Sequence, residues 1–478
     1  MSVEDRLAKV SSAEGGEAPA AKQRLMQLFD DGVFTEIDSF AKTAEEGAEV
    51  VTGYGTVDGS RVFAFSQNQA AAGGAMGRTQ AGKIKKIYEL AVKTGAPVVG
   101  IYDSNGAYLN EGFEVLSAYG ELLSFVSNLS GVVPQVSLVL GPCAGSAALL
   151  AAGADVVIME EKGQLFMAPP SVFAGEGEGA AKVGGAKAAL ANGTAQLGAE
   201  SEEDAIARAR AVISMLPLNN LEVAPLAEAV APEADASTLN DLCLKMDGAS
   251  ARDIIRGVAD AGSFIELYPA FGKTVVGGFL RINGTACGVI ANDRSHNEGR
   301  LCASCAAKAA KLVRLFDAFS LPVVTFVDTM GFEATIEAEL GGSLRSAAML
   351  AHAYAEATTA KIAVITGRAY GSSFITFAGK GANSDMVLAW PSAEIGALAP
   401  KAAVTVLWND RMQKGEAQAD LEAEYKETIA CPVAAAEGGY IDEVIEPAKT
   451  REILTGALDM LAGKRVSRMP KKHSNIPL

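Results

Sequence analysis

Two apolar runs, VVGIYD (98–103) and VVTFVD (323–328), are rich in β-branched residues, and each ends on an aspartate. Runs of that length and composition predict buried strands. Behind each comes a glycine-containing turn and then a stretch of helical character, EVLSAYGELLSFVSNL (114–129) and SLRSAAMLAHAYAEATT (343–359). A second apolar run follows in both places, VSLVLG (136–141) and IAVITG (362–367), and breaks into small residues. Strands alternating with helices predict β-α crossovers that pack helices against sheets.

The two patterns are copies. VVTGYGTVDG (50–59) falls on VVGGFLRING (275–284), and GAPVVGIYDSNG (95–106) on SLPVVTFVDTMG (320–331), both at a shift of 225 residues. DDGVFTEI (30–37) returns as DAGSFIEL (260–267), and GPCAGSA (141–147) as GRAYGSS (367–373). A period this long means duplicated domains, not a solenoid. The 478 residues allow two to four domains, and the repeat selects two, 1–240 and 241–478. Residues 1–30 read as an arm or helix, and GEGEGAAKVGG (175–185) as a mobile loop ahead of the linker.

Composition narrows the class without changing this plan. With 49% hydrophobic residues, 50 glycines and 6% aromatics, the chain is an α/β protein with many close backbone contacts. A net charge of −16 argues against general nucleic-acid binding. No apolar run reaches the roughly 20 residues of a membrane span, and MSVEDRLAKV lacks a secretory core. The expectation is a cytoplasmic soluble protein with reduced cysteines, Cys302-x-x-Cys305 included, and with no metal site.

Candidate chemistry gathers at GPCAGSA and GRAYGSS. Where a strand breaks into small residues and a helix starts at once, the first N–H groups of the helix point into the turn. Small side chains let a carbonyl oxygen approach the backbone, which is the requirement of an oxyanion hole. The bland alternative is that Gly and Ser only let helix and strand pack closely. Against it stand the two occurrences in register, each downstream of another glycine turn, SNGAYLNEG (104–112) and TMGFEATIEAELGG (329–342). The copies diverge at Ala147 against Ser373, and at Pro142-Cys143 against Arg368-Ala369.

SNGAYLNEG, VSLVLGPCAGSAALLAAGADVVIM, ARDIIRGVADAGSFIEL, FVDTMGF, AYAEATTAKIAVITGRAYG, AWPSAEIGALAPKAAV and KKHSNIPL together resemble the carboxyltransferase subunit of biotin-dependent acyl-CoA carboxylases and decarboxylases. The resemblance implies two tandem crotonase-type domains. The N-half would hold acyl-CoA and the C-half biotin, with the active site formed between the N-half of one subunit and the C-half of another. Carried over, the N-half hole uses N–H groups around Gly106 and at Ser146 and Ala147, with Ala107 and Gly145 beside the substrate. The C-half hole uses those around Gly331 and at Ser372 and Ser373, with Gly371 and Ile375 beside it. Each hole would stabilise an enolate, so no protein nucleophile is needed. Arg78 and Lys83 in GRTQAGKIKK are either ligands of CoA phosphates or part of a solvated helix face.

Several departures bear on substrate. Relatives commonly carry Gly-Gly where this chain has Asn105-Gly106, Gly145-Ser146 and Gly371-Ser372, and Asp at Ile375 when they act on propionyl-CoA. The chain holds neither a biotin-accepting segment nor a biotin carboxylase domain. The resemblance therefore implies a biotin carboxyl carrier protein as partner, together with a biotin carboxylase or the subunits of a sodium-pumping decarboxylase, and assembly as a dimer or a trimer of dimers. Two other readings stand: an N-half-only hydratase, isomerase or decarboxylase using Glu111 or Glu114, and a non-catalytic scaffold.

Overall fold

The computed structural model describes residues 2–7, 18–43, 48–168, 172, 182–244, 250–381, 384–467 and 469–477. Most of the GEGEGAAKVGG loop, and residues 8–17 of the arm, lie outside the described residues. Contacts divide the chain into two units, Met1–Ala189 with Gly198–Ile213, and Leu190–Leu197 with Ser214–Leu478.

In the first unit, helix α1 (Ala20–Leu28) precedes β1 (Phe34–Ile37), β2 (Val50–Val57) and β3 (Ser60–Gln67). These three strands pair antiparallel. Asp58 and Gly59 join β2 to β3 with φ of 50° and 77°, the left-handed pair that suits a two-residue hairpin. Helix α2 (Arg78–Thr94), β4 (Val98–Ser104), α3 (Phe113–Asn128), β5 (Gln135–Ala144), α4 (Ser146–Ala152) and β6 (Val156–Glu160) follow. Strands β3 to β6 run parallel. Every residue of β4 is buried, as its unbroken apolar run requires of a strand covered on both faces.

The second unit repeats the plan. After α5 (Ala251–Val258), strands β7 (Ile265–Glu266), β8 (Val275–Ile282) and β9 (Thr285–Asn292) pair antiparallel. Asn283 and Gly284 make the hairpin at φ of 51° and 82°. Helix α6 (Ala303–Ala318), β10 (Val323–Thr329), α7 (Ser343–Glu356), β11 (Lys361–Tyr370) and α8 (Gly371–Ala378) complete the copy, with β9, β10 and β11 parallel. Buried Val276, Val289, Phe326, Val364 and Trp390 belong to its core. Trp390 also donates its ring N–H to Thr450 at 3.0 Å, so the large ring leaves no buried donor unpaired.

Two features differ from the sequence expectation. Residues 214–240 pack with the second unit, because Leu226 bridges Thr285 and the Ala227 N–H reaches the Gly284 carbonyl at 2.9 Å. The divide therefore falls after Ile213, not at 240. Cys302 and Cys305 are joined as a disulfide, while Cys143, Cys243, Cys287 and Cys431 are free. Spacing of three puts both sulfurs on one face of the first turn of α6.

Candidate active site

In the first unit the central strand pair slips register between Tyr102 and Ser104, so Ser104 comes opposite Cys143. The slip sets two turns side by side, one leaving β4 and the other leaving β5. A Cβ placed on Gly106, whose φ is 111°, would lie 4.0 Å from the Ala144 carbonyl oxygen. The first turn is braced by α2's approach: the Met76 N–H donates to the Gly106 carbonyl at 2.9 Å, and the Tyr108 N–H to the Met76 carbonyl at 3.0 Å. Such a parallel bridge uses the groups flanking Ala107 and turns the Ala107 N–H away from Met76. The second turn passes through Gly145, at φ 61° and ψ −126°, a conformation open to glycine. Ser146 and Ala147 then open α4, so their N–H groups have no acceptor within the helix.

The second unit carries the same construction. The register slips between Val327 and Thr329, and Thr329 faces Ala369. The Leu301 N–H donates to the Gly331 carbonyl and the Glu333 N–H to the Leu301 carbonyl, both at 3.0 Å, which turns the Phe332 N–H away as at Ala107. Ser372 and Ser373 lie in the first turn of α8, behind Gly371 at φ 53°. The Ser373 hydroxyl is spent on the Tyr370 carbonyl at 2.7 Å. Ile375 stands more than half exposed on the same helix.

Of the N–H groups around Gly106 and Gly331, those of the two glycines themselves are engaged. The Gly106 N–H is taken by the Ser104 hydroxyl at 3.1 Å, and the Gly331 N–H by the Thr329 hydroxyl at 3.0 Å. The groups left for a ligand are the next ones along, at Ala107 and Phe332. Phe332 is not among the residues the sequence singles out, although its place one residue after Gly331 copies that of Ala107.

The charged candidates sort by burial. Lys83 is 3% exposed and its ammonium donates to the Val50 carbonyl at 2.8 Å and the Ala41 carbonyl at 3.3 Å. It ties α2 to β2 and is not placed to meet a phosphate in solvent. Lys308 does the same in the second unit, donating to Tyr268 at 2.9 Å and Phe271 at 3.1 Å, and burial holds its pKa down at about 8. Arg78 is exposed and pairs loosely with Glu114 at 3.5 Å. Glu111 accepts the Arg78 N–H at 2.6 Å and so caps α2, an occupation that competes with any role as a base.

The aspartates that end the central strands are paired differently in the two copies. Asp103 accepts from the Arg24 guanidinium at 2.9 Å, with both side chains buried. Asp328 accepts from Arg368 at 3.0 Å, a residue of the neighbouring strand itself. Glycine is needed opposite each: a Cβ on Gly141 would meet Asp103 Oδ1 at 2.0 Å, and one on Gly367 would meet the Asp328 carboxyl carbon at 2.4 Å. Both carboxylates are thus engaged in holding the strand ends together. Burial pushes the Cys143 thiol far up, so it is no thiolate nucleophile. His352 contacts Glu356 at 3.5 Å one turn away on its own helix, with no catalytic partner set. Among the described residues, no group of three or more His, Cys, Asp or Glu side chains is arranged to hold a metal ion. A cavity of about 530 Å³ lined by Arg24, Asn68, Gln69, Asp103 and Asn105 opens beside the 104–107 turn.

Two α/β units of one plan, each ending its central strands in paired backbone turns, define a tandem crotonase-type fold. Residues 16–476 match the family described as carboxyl transferase domain, and the chain belongs to that family. It is 39% identical over 502 residues to the methylmalonyl-CoA decarboxylase subunit alpha of Veillonella parvula, covering 99% of this chain and 98% of the relative. It is 37% identical to the propionyl-CoA carboxylase beta chain of Saccharopolyspora erythraea, covering 96% of this chain and 90% of that one. Among solved structures, transcarboxylase 12S with methylmalonyl-CoA and methylmalonic acid bound matches over 100% of both chains, with a TM-score of 0.91 and 35% identity. The chain is accordingly an enzyme of the biotin-dependent acyl-CoA carboxyltransferase class.

Proposed function

We propose that the protein moves a carboxyl group between a short acyl-CoA of the methylmalonyl-CoA and propionyl-CoA type and biotin borne on a separate carrier protein. The observation that carries this reading is the in-register duplication of one carbonyl-binding device, with donors at Ala107, Ser146 and Ala147 in one unit and at Phe332, Ser372 and Ser373 in the other. Two carbonyls must be held in a transfer between a thioester and a ureido group, and there are two devices. The donor chemistry fits both, since each carbonyl needs N–H groups and no counter-charge. When bound, biotin supplies the ureido nitrogen that accepts or releases the carboxyl group.

The first unit holds the thioester and the second the ureido carbonyl in this reading. Backbone donors fixed by strand and helix ends do not reorganise as negative charge builds on the oxygen, which is where such sites contribute most to rate. Exposed Arg78 is available to a CoA phosphate, and the cavity beside Asn105 is open to the CoA chain. The names of the relatives support methylmalonyl-CoA and propionyl-CoA as substrates. Transcarboxylase 12S forms a hexamer assembly and a multienzyme core, which supports self-assembly of this chain and work alongside carrier and biotin-loading or decarboxylase subunits. Among the described residues, no helix is long and apolar enough to cross a membrane.

Methylmalonyl-CoA labelled in its free carboxyl, incubated with the purified chain and biotin, tests the reading. Label recovered on biotin supports it. Label that stays on the CoA ester, or leaves only as CO2 at a rate indifferent to biotin, overturns it.

A further inference from the structure

We propose that Cys302 and Cys305 form a thiol–disulfide site that sets the rigidity of the second unit's 329–333 turn. The two residues are disulfide-bonded across the first turn of α6, with Cα atoms 5.1 Å apart. Cys302 is the residue that caps the helix, and its sulfur accepts the Cys305 N–H at 3.3 Å. Cys302 is partly exposed, whereas Cys305 is 1% exposed. The residue before the pair, Leu301, makes both backbone hydrogen bonds that brace the turn, to the Gly331 carbonyl and from the Glu333 N–H. A link that fixes the start of α6 therefore fixes the strut on which Gly331 and Phe332 rest.

The first unit supplies an internal comparison. There the same cap is built from Gly77 and Gln80, whose side-chain oxygen accepts the Gly77 N–H at 2.8 Å. The brace from Met76 to Gly106 and Tyr108 is otherwise alike. One copy of the device thus holds its strut with an amide that no redox reagent touches, and the other with sulfur.

The chemistry is a two-electron exchange with a dithiol. A thiolate of the reductant attacks Sγ of Cys302, the less buried of the two residues, and the Cys302–Cys305 bond breaks. Cys305 leaves as a thiolate and takes a proton. The reductant's second thiolate then displaces Cys302, so the reductant leaves as a disulfide and the protein holds two thiols. A small disulfide such as oxidised glutathione reverses the sequence by the same steps.

Thiol counting and hydrogen exchange on the full chain test the proposal. Protein prepared without reductant, denatured and alkylated, is expected to show the four free cysteines, and after dithiothreitol all six. On reduction of the native protein, exchange in the peptide spanning 329–335 is expected to accelerate about tenfold through local opening, with 104–110 unchanged. The double variant Cys302→Ser, Cys305→Ser is expected to exchange at the fast rate with or without dithiothreitol. Six thiols that stay free even under oxidised glutathione overturn the proposal. So do equal exchange rates in the two redox states, or a double variant that still responds to dithiothreitol.

Discussion

The Ser104 hydroxyl holds the Gly106 N–H at 3.1 Å, and this bond decides which residue of the turn can offer a donor. Ser104 is fully buried. Ser104→Ala leaves the buried Gly106 N–H without a partner, a loss of about 1–3 kcal/mol. Thermal or urea unfolding is expected to show that loss, with carboxyl transfer slowed as the Ala107 N–H loses its fixed direction. Thr329→Val is expected to do the same in the second unit, where Thr329 also reaches the Gly299 carbonyl at 2.6 Å.

Ser146 is the first residue of its helix, and proline is tolerated there because the N–H it removes has no helical partner. Ser146→Pro is therefore expected to fold as the parent does and to lose about 10²- to 10³-fold in kcat, the usual loss for one oxyanion donor. Circular dichroism and steady-state kinetics on methylmalonyl-CoA check the two halves of that expectation. Retained activity in a folded variant sinks the first-unit donor set.

The duplicated strands and strand–turn–helix breaks are legible because each depends on local residue type: β-branched runs, then small residues. The choice between Gly106 and Ala107 is not, because it turns on a hydroxyl two residues away folding back on the chain. In the sequence Lys83 reads as a phosphate ligand or as part of a solvated helix face, and Lys308 carries no functional signal of its own. Yet Lys83 shares its helical face with Ile87 and Ala91, and Lys308 with Leu312 and Phe316, all of them buried; spacing of four marked both lysines as core-facing. The swap of Pro142 for Arg368 signalled divergence, but only the fold shows that Arg368 replaces a helix arginine, Arg24, as the partner of the strand-end aspartate. The extent of the second unit is not legible in the sequence, because residues 225–227 join it through backbone bonds that leave no mark in composition.

Lys308 makes stability depend on pH in a defined direction. Burial lowers its pKa from 10.5 to about 8, so the folded state holds the proton less tightly than the unfolded chain. Below about pH 8 both states carry it and the destabilisation is complete. Between about 8 and 10.5 the unfolded chain alone stays protonated, and stability rises with pH. The difference in unfolding free energy between the parent and Lys308→Met is expected to move in the parent's favour across that window and to be flat below it. A difference that is flat from pH 7 to 10.5 contradicts the assignment.

The central claim is that two carbonyl-binding devices serve two different carbonyls, one of them biotin's. Methylmalonyl-CoA decarboxylation by the purified full chain, measured as biotin is raised from zero, tests it most directly. Two cooperating devices predict a rate that is near zero without biotin and climbs to saturation as biotin is added. A rate that is substantial and unchanged across the whole biotin range contradicts the claim and leaves a decarboxylase working from the first unit alone.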